Sequence, residues 1–410
     1  MNILVLGGGG REHALAWKVA QSAGVRVFAA PGNPGIARIG TCIPAGDGSP
    51  AAFLEAAEAV DAGLTVVGPE VPLVNGVVDR FRSAGRLIVG PDREAARLEG
   101  SKVFAKSFFT QRDLPTAAFI SASHPAEARL AMDRFGFPVV FKADGLAAGK
   151  GVIVAHDRAE AEAALNTLKG PLVVEEFLRG REVSFIALCD GRDALPLAPT
   201  EDHKAVFDGD TGPNTGGMGA YCDDAILTAA ETRWIMDRII LPTVEATRFT
   251  GFLYAGMMMT SAGPRILEFN VRMGDPEAQP LMHRMASDFV PALVAAAEGQ
   301  LRSASLEWRQ GPSVCVVEAS GGYPGAYETG KAIQGIEAAE ATGATVFHAG
   351  TRMGARGLET AGGRVLGVTA SGDNLAAAIE NAYAAARRIH FEGMHYRSDI
   401  GRKGLERYNK

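Results

Sequence analysis

The sequence of 410 residues predicts a multidomain protein of mixed α/β and α+β class. Its first hundred residues alternate short β-branched runs with alanine-rich helical stretches, which is the pattern of a doubly wound parallel sheet. Further along, two predicted strands follow one another directly, which indicates an antiparallel hairpin. At about 150 residues per domain, the length allows about three domains. We therefore expect an N-terminal parallel sheet, a central core of two subdomains and a small mixed C-terminal domain.

The composition argues against several classes of protein. Hydrophobic residues make up 47% of the chain and charged residues 21%, which is typical of a globular protein with a large core. The net charge of −6 leaves no basic excess to bind a phosphate backbone, so we expect no nucleic-acid partner. The longest uncharged apolar stretch, 249–264, is too short to cross a bilayer, and we expect no membrane association. Four widely spaced cysteines favour a reduced, cytoplasmic setting.

The first predicted domain, residues 1–100, has its glycine-rich loops directly after its strands. These loops read GGGG, PGNPG, GPE and GPD. In a doubly wound sheet, ligands bind beyond the carboxyl ends of the strands, where these loops lie. The predicted elements are strands at 3–6, 25–29, 64–67 and 87–89, and helices from Glu12, near 50–60 and near 71–84.

The second and third predicted domains span residues 101–312 and 313–410, with a lid subdomain at about 118–185. The elements expected in 101–312 are a helix capped by Ser101, strands at 137–142, 152–155, 172–176 and 183–189, a helix at 157–168, a glycine-rich loop at 209–220, a helix from Thr228 with Pro242 inside it, and a strand pair near 252–259 and 265–271. In 313–410 we expect strands near 313–319, 344–348 and 364–370, and a helix from Asp373 whose apolar positions run to Ile389.

The N-terminal GGGGREHA segment resembles a dinucleotide fingerprint but lacks two of its parts. Glu12 stands where the third glycine belongs, and the second strand ends in Ala30-Pro31 without an acid for the ribose. A nicotinamide cofactor is therefore disfavoured. A strand, glycines and a helix start can still form an anion site, because backbone N–H groups and the helix dipole point at the loop. The alternative is a tight turn that only allows close helix packing.

The segment VVFKADGLAAGKGVIVA, 139–155, carries two lysines on a hairpin. Its glycine spacing does not fit a P-loop, and the loop leads into a strand rather than a helix. Lys142 and Lys150 can instead close over a polyphosphate as a mobile flap. A merely flexible hairpin is the alternative. In the following segment, Glu175 and Glu176 end a strand and Glu182 begins the next, so backbone groups there can contact an adenine and a carboxylate a ribose. Solvated acids at strand ends are the alternative.

The segment RILEFNVRMGDPE, 265–277, is the most informative. On a strand, Glu268, Asn270 and Arg272 project to one face. A carboxylate and an amide carbonyl supply oxygen ligands for Mg²⁺, which completes its shell with water and phosphate oxygens. The arginine can bind a carboxylate or phosphate with two hydrogen bonds. An exposed polar sheet face is the alternative. The loop at 202–221 adds Asp202 and Lys204 as candidate substrate contacts, while its histidine receives no role.

These segments stand in a recognisable order along nearly the whole chain. They are GGGGREHALAWK, PGNPG, VGPEVPLVNGVVD, LEGSK, KADGLAAGKGV, VVEEFL, DHK, DTGPNTGGMGAY, GFLYAG, EFNVRMGDPE, GGYPG and FHAGT. The chain resembles the ATP-grasp ligases and, more closely, the phosphoribosylamine–glycine ligase family of purine biosynthesis. The resemblance implies that ATP, glycine and 5-phosphoribosylamine react through glycyl phosphate to give glycinamide ribonucleotide, ADP and phosphate. It also implies an ATP-grasp core of two subdomains.

The resemblance implies roles for individual residues. Mg²⁺ or Mn²⁺ would bind Glu268 and Asn270. ATP would contact Lys102, Lys142, Lys150, Glu175, Glu176, Leu178 and Glu182, and catalysis would involve Arg272, Asp275 and Lys150. The substrates would contact Gly8, Gly9, Gly10, Glu70, Asp202, Lys204, Asp210, Asn214, Thr215, Gly216, Gly217 and Arg272. We expect a monomer or weak homo-oligomer.

One departure from the family pattern accompanies the resemblance. The segment between Asn166 and Leu172 is short where relatives often carry a glycine-rich insert, so some adenine-side contacts are expected to be missing. The strand before EFN, at 252–260, lacks the second metal carboxylate of many ATP-grasp enzymes, as the resemblance to the phosphoribosylamine–glycine ligase family implies. The alternatives are another ATP-grasp carboxylate–amine ligase or carboxylase with different substrates, and a nicotinamide oxidoreductase that uses the N-terminal sheet.

Overall fold

The computed structural model describes residues 1–146, 151–355 and 357–408. The predicted fold class is confirmed, beginning with a five-stranded parallel sheet near the N-terminus. Its elements are β1 (Asn2–Gly7), α1 (Gly10–Val19), β2 (Arg26–Pro31), a 3-10 helix (Ile36–Arg38), β3 (Thr41–Cys42), α2 (Pro50–Ala59), β4 (Leu64–Val67), α3 (Glu70–Val74), α4 (Val77–Ser83) and β5 (Ile88–Val89). The spatial order β3-β2-β1-β4-β5 places the loop after β1 at the centre of the sheet edge.

The helix predicted near 71–84 is two helices. Gly76 separates α3 from α4 and takes φ 85°, a left-handed conformation that suits glycine and interrupts the helical hydrogen bonds. The predicted helix is therefore divided at this glycine into α3 and α4.

The lid is an antiparallel sheet of four strands in the order β6-β9-β7-β8. Its elements and the two helices before it are α5 (Arg97–Gly100), α6 (Lys102–Gln111), β6 (Phe119–Ala122), α7 (Pro125–Phe135), β7 (Val139–Ala143), β8 (Val152–Ala155), α8 (Arg158–Thr167) and β9 (Leu172–Glu176). The predicted hairpin is confirmed, because Val139 on β7 pairs with Ala155 on β8. The Ser101 hydroxyl accepts a hydrogen bond from the N–H of Phe104 and so caps α6 as predicted.

The remaining elements include one large sheet in the order β17-β16-β10-β12-β15-β18-β22-β19, with β11 beside β10, and two two-stranded sheets, β13-β14 and β20-β21. They are β10 (Arg181–Asp190), β11 (Ala194–Pro196), β12 (Thr200–Asp202), β13 (Ala205–Phe207), a 3-10 helix (Asp208–Asp210), β14 (Thr211–Asn214), β15 (Gly219–Cys222), a 3-10 helix (Asp224–Ile226), α9 (Ala229–Ile235), a π-helix (Met236–Ile240), α10 (Leu241–Thr247), β16 (Thr250–Thr260), β17 (Gly263–Asn270), α11 (Ala278–Arg284), α12 (Val290–Glu298), a 3-10 helix (Leu301–Ser303), β18 (Ser313–Ala319), α13 (Ile336–Glu340), β19 (Thr345–His348), β20 (Thr351–Gly354), β21 (Gly357–Thr360), β22 (Arg364–Ser371), α14 (Leu375–Ala386) and α15 (Arg402–Tyr408).

The large sheet crosses the expected boundary at residue 312. β15 pairs antiparallel with β18, so the C-terminal strands extend the sheet that carries β17. The strand β10 also belongs to this sheet, although the expected lid range of about 118–185 includes its start. The C-terminal region is therefore joined to the centre of the molecule by continuous backbone pairing.

Three local expectations need correction. The loop expected at 209–220 contains β14 and the start of β15, because its glycines and polar residues still pair as short strands. The helix from Thr228 passes through a π-helical segment just before Pro242, which lacks the N–H that a regular helix would use. The helix expected from Asp373 is α14, which is capped by Asn374 and ends at Ala386, so Ile389 lies beyond it.

Apolar side chains form buried clusters on both faces of the sheets, and a separate small cluster fills the lid. No helix in the described part of the chain is long and apolar enough to cross a membrane. The lid, the end of β17 and the loop after β12 face a common space, which holds the candidate site.

Candidate active site

Glu268 and Asn270 lie near the end of β17, where strand alternation turns both toward the same side. Both line a cavity of about 430 Å³. Between them, Phe269 is buried in the core and packs edge-on against Phe109, with ring centroids 5.1 Å apart. The apolar side of the strand is thus anchored, and this fixes the polar side toward the cavity.

The two oxygen donors on β17 remain available to a cation. Burial alone would raise the pKa of Glu268, but Lys204, Lys142 and Lys102 hold it below its ordinary value. Among the described residues, none donates a hydrogen bond to this carboxylate. Asn270 Oδ1 accepts one hydrogen bond, and an amide oxygen can accept a second interaction. The pair therefore fits a divalent cation that binds oxygen ligands.

Such a cation would need further ligands from outside the protein. Within residues 1–146, 151–355 and 357–408, no cluster of three or more histidine, cysteine, aspartate or glutamate side chains could hold a metal. A magnesium ion usually keeps several waters and binds substrate phosphates beside one or two protein oxygens. Two ligands on one strand, facing an open cavity, suit that mode of binding.

Two lysines lie on either side of the Glu175 carboxylate in the lid. The Nζ atoms of Lys142 and Lys106 are 3.0 and 3.1 Å from its Oε1, and all three side chains are almost fully buried. Burial lowers the pKa of Lys106 to about 8, against the opposing effect of Glu175. Lys142 also donates to the carbonyl of Leu267 at 2.9 Å, which holds the lid to β17. The Glu175 side chain is therefore engaged by lysines, and only its backbone is left for an adenine.

Lys102, at the start of α6, reaches the hairpin. Its Nζ donates to the carbonyl of Gly145 at 2.8 Å. Burial lowers the pKa of Lys102, and the nearby Glu268 opposes that shift. Lys102 thus lies between the β7–β8 hairpin and the side chains of Glu268 and Asn270. The other flap lysine, Lys150, lies outside the described residues.

Glu176, Leu178 and Glu182 line the part of the cavity between β9 and β10. The Glu176 carboxylate accepts a hydrogen bond from the N–H of Ala118 at 2.8 Å, so this side chain holds the lid strands together. Glu182 forms a 2.8 Å ion pair with Lys204, which keeps the pKa of Glu182 below its ordinary value.

Lys204 lies within a group of carboxylates. Besides Glu182, its Nζ is 3.9 Å from Asp202 Oδ1. Burial raises the pKa of Asp202 to about 7, with Lys204 opposing and the carboxylates of Glu277 and Glu268 adding to the shift. Burial alone would lower the pKa of Lys204, but Asp202 and Glu182 raise it well above its ordinary value. The Lys204 side chain therefore stays charged beside Glu268 and Asn270.

Arg272, just beyond β17, is held between two carboxylates. Its Nη2 lies 2.9 Å from Glu99 Oε1, and its Nε lies 3.4 Å from Glu70 Oε2. Burial alone would lower the pKa of Arg272, but these two glutamates raise it. The arrangement brings Glu70, at the start of α3 in the N-terminal region, into the same cavity as Glu268 and Asn270.

Asp275 joins the N-terminal glycine loop to the central site. Its Oδ1 accepts a hydrogen bond from Gln279 Nε2 at 2.9 Å. A side chain at Gly10 would come within 2.6 Å of that Gln279 nitrogen, and one at Gly8 within 2.3 Å of the Gly32 carbonyl oxygen. Glycine is therefore required for the loop to pass this closely.

Asn214, Thr215 and Gly216 also line the cavity. The Thr215 hydroxyl donates to the carbonyl of Lys204 at 2.8 Å and accepts from the N–H of Gly217 at 2.9 Å. Gly217 takes φ 114°, a region that favours glycine. The turn at 214–217 is therefore held to the segment between β12 and β13, which carries Lys204.

Two of the residues predicted for the site have partners within the chain. The N–H of Gly9 donates to Glu12 Oε2 at 2.6 Å, so the expected anion donor is already bound by a carboxylate of its own helix. Asp210 lies elsewhere, where its carboxylate forms ion pairs with Arg397 and Lys403 near the C-terminus. Its role as a substrate contact stays a prediction.

Sequence reasoning missed several residues that line the cavity, namely Arg11, Glu99, Lys106, Tyr254, Glu277, Tyr323 and Arg364. Glu99, Glu277 and Tyr323 stand inside the motifs LEGSK, GDPE and GGYPG, so closer attention to those motifs would have found them. The Tyr254 hydroxyl lies 3.0 Å from Glu277 Oε1. Arg364 stands in no such motif, and only the fold brings it to the site.

Comparison with known proteins accounts for this arrangement. Three family models match, described as the N domain, the ATP-grasp (A) domain and the C domain of phosphoribosylglycinamide synthetase, over residues 1–99, 100–278 and 313–403. The chain is 50% identical to a phosphoribosylamine–glycine ligase of Xanthomonas axonopodis pv. citri and 48% identical to one of Escherichia coli O157:H7. Each alignment covers 99% of both chains.

Solved structures agree. A phosphoribosylamine–glycine ligase from Thermotoga maritima superposes with a TM-score of 0.84 at 36% identity, covering 98% of this chain and 100% of that one. The biotin carboxylase domain of Hydrogenobacter thermophilus 2-oxoglutarate carboxylase shares the fold, with a TM-score of 0.75 at 16% identity over 96% of this chain and 91% of that one. The chain therefore belongs to the phosphoribosylamine–glycine ligase family, an ATP-grasp family of ATP-dependent carbon–nitrogen ligases.

Proposed function

We propose that the chain joins glycine to 5-phosphoribosylamine at the cavity described above, using ATP and a divalent cation. The observation that carries this assignment is the convergence in one cavity of an oxygen pair on β17, a lysine cluster from α6 and the lid, and an arginine–aspartate segment just beyond β17. Each group answers one need of the reaction, namely metal binding, phosphate binding and substrate positioning. The named relatives at 48–50% identity support the same substrates.

The first step forms glycyl phosphate. A carboxylate oxygen of glycine attacks the γ-phosphorus of ATP, and the bond from that phosphorus to the β–γ bridging oxygen breaks to release ADP. Two anions must meet, so positive charge governs the barrier. Lys102 and Lys142 supply it, joined by Lys150. Mg²⁺ or Mn²⁺ on Glu268 and Asn270 would neutralise further phosphate charge.

The second step forms the amide. The amine nitrogen of 5-phosphoribosylamine attacks the carbonyl carbon of glycyl phosphate, the carbon–oxygen bond to phosphate breaks, and the nitrogen loses a proton. Arg272 and Asp275 hold glycine and the acyl phosphate, with Asp202, Lys204 and the 214–217 turn beside them. The Gly8–Gly10 loop and Glu70 face the phosphoribosylamine end. Because water would hydrolyse the acyl phosphate, closure of the hairpin protects it.

At the nucleotide end, the backbone from Glu175 to Leu178 contacts adenine and the Glu182 carboxylate accepts from the ribose hydroxyls. The ion pair of Glu182 with Lys204 supports this role, because it keeps the carboxylate charged. We further infer three domains at 1–100, 101–312 and 313–410, and a cytoplasmic monomer or weak homo-oligomer. The four free cysteines suit a reducing compartment.

An ADP-release assay that omits each substrate in turn tests this function. We expect ADP formation only when ATP, a divalent cation and glycine are present, and glycinamide ribonucleotide only when 5-phosphoribosylamine is added. Alanine and serine in place of glycine serve as matched controls. ADP release with another carboxylate, but not with glycine, would favour a different ATP-grasp ligase.

A further inference from the structure

Arg364 connects the C-terminal strands to the substrate end of the cavity. It begins β22, and its Nη1 donates to the carbonyl oxygens of Gly216 at 2.7 Å and Asp275 at 2.6 Å. Its Nη2 lies 3.2 Å from Asp275 Oδ2. One guanidinium therefore contacts both the 214–217 turn and the segment after β17, which are far apart in the sequence.

A second residue of the C-terminal region contacts the same glycine. The N–H of Gly216 donates to the Tyr323 hydroxyl at 3.1 Å. Both backbone polar groups of Gly216 are thus bound by side chains from beyond residue 312. A Cβ atom at Gly216 would lie only 2.9 Å from Arg364 Cζ, so the turn packs directly on the guanidinium.

The charges at this junction depend on one another. Burial alone would lower the pKa of Arg364, but Asp275 raises it. Burial alone would raise the pKa of Asp275, but Arg364 and Arg11 hold it below its ordinary value. Both groups are therefore ionised at neutral pH, and removal of the guanidinium would leave a buried carboxylate poorly compensated.

We propose that Arg364 is a positioning residue of the ligation reaction, which holds the turn at 216–217 and Asp275 in the arrangement that receives the substrates. This inference rests on the proposed function, because that function assigns glycine and phosphoribosylamine to this end of the cavity. The C-terminal region would then complete the substrate end of the site. The nucleotide end, built by the lid and β10, would not depend on Arg364.

The geometry explains why an arginine is needed here. Two carbonyl oxygens and a carboxylate oxygen surround one planar group with several donors in fixed directions. A lysine ammonium carries charge but cannot point donors along the same fork. Arg364→Lys should therefore recover the electrostatic part of the effect and only some of the positioning.

The experiment compares Arg364→Ala, Arg364→Lys and Tyr323→Phe with Arg352→Ala. Arg352 lies in the same C-terminal region, is largely exposed and pairs with Glu359, so it serves as the matched control. For each variant we would measure the thermal midpoint, the Kd for ADP, and kcat and KM for glycine and phosphoribosylamine separately.

For Arg364→Ala we expect kcat/KM for the two substrates to fall on the order of 100-fold, since small misplacements of bound groups cost about this much. The Kd for ADP should stay close to that of Arg352→Ala, whereas the thermal midpoint should fall, because the buried Asp275 carboxylate loses its partner. Arg364→Lys should regain part of the loss, and Tyr323→Phe should lose activity severalfold. Should Arg364→Ala fail to fold, Tyr323→Phe and Arg364→Lys decide the matter by the same ratio of substrate to nucleotide effects.

Two results would overturn the inference. One is unchanged kcat/KM in the variants, and the other is a loss of ADP affinity as large as the loss of kcat/KM, which would indicate only a structural role. Failure of the proposed function would look different, because the unmodified chain itself would then release no ADP with glycine.

Discussion

Two glutamates of the same large sheet, the half-buried Glu268 on β17 and the fully buried Glu318 on β18, occupy opposite electrostatic environments. The carboxylate of Glu268 has Lys204, Lys142 and Lys102 nearby, which hold its pKa below the ordinary value despite burial. Glu318 is fully buried, and neither of its oxygens has a hydrogen-bond partner among the described residues. Burial raises the pKa of Glu318 from 4.5 to about 8.

The difference lies in the neighbouring charges: lysines stabilise the ionised form of Glu268, whereas the ionised form of Glu318 is only penalised by burial. Glu318 shares its strand face with Val314 and Val316, which belong to the core cluster that also includes residues of α14. Its charge has nothing to interact with there. Around Glu268 the fold places three lysines, which favour the charged form of this carboxylate. A buried glutamate is thus informative only together with its partners.

The largest expected effect breaks the comparison at the active site. Glu268→Gln keeps the size of the side chain but removes the charge that would hold the cation, so glycine-dependent ADP formation should fall on the order of 1000-fold. Glu318→Gln is the matched control and should retain kcat within about twofold, since it lies outside the cavity. The coupled ADP assay measures both. Equal activity of the two variants would contradict the metal assignment.

The second prediction concerns stability. The unfolded chain ionises Glu318 above a pH near 4.5 but the folded chain only near 8, so the folded state binds more protons between these values. Stability of the unmodified chain should therefore fall as the pH rises through this interval. Glu318→Met removes the carboxylate and should stabilise the protein by about 3 kcal/mol at pH 8, with a much smaller gain near pH 5.

Urea unfolding at the two pH values measures this gain. Glu380→Met, on the exposed side of α14, is the matched control and should show no such pH dependence. A gain for Glu318→Met that is independent of pH would mean that packing, rather than the buried charge, is responsible.

The smallest expected effect sharpens the comparison by making Glu268 more like Glu318. Lys204→Met removes one of the cations that lower the pKa of Glu268, so that pKa should rise and more of the carboxylate should be protonated at acid pH. Beyond any loss at pH 8, kcat/KM should drop severalfold further at pH 6. In a pH–rate profile, the acid limb of Lys204→Met should lie at higher pH than that of the unmodified chain. An unshifted limb would mean that Lys142 and Lys102 suffice.

Much of the fold was predictable because its signals are local. The βαβ pattern of the first hundred residues, the hairpin after Lys142 and the cap at Ser101 all depend on neighbouring residues. The predicted element boundaries were wrong where other parts of the chain determine the local structure, as at Gly76 and in the paired strands within 209–220. The site was partly predictable for the same reason, since alternation along β17 places Glu268 and Asn270 together.

The sequence by itself determined which segments form strands and helices, and which polar side chains share a strand face, because periodicity and capping act over a few residues. Only the tertiary structure decided which distant charges meet. It placed Arg364 against Gly216 and Asp275, surrounded Glu268 with lysines and left the Glu318 carboxylate with no hydrogen-bond partner among the described residues. These outcomes depend on the pairing of β15 with β18 and on the seating of the lid over β17, contacts between residues far apart in the chain that local patterns do not encode.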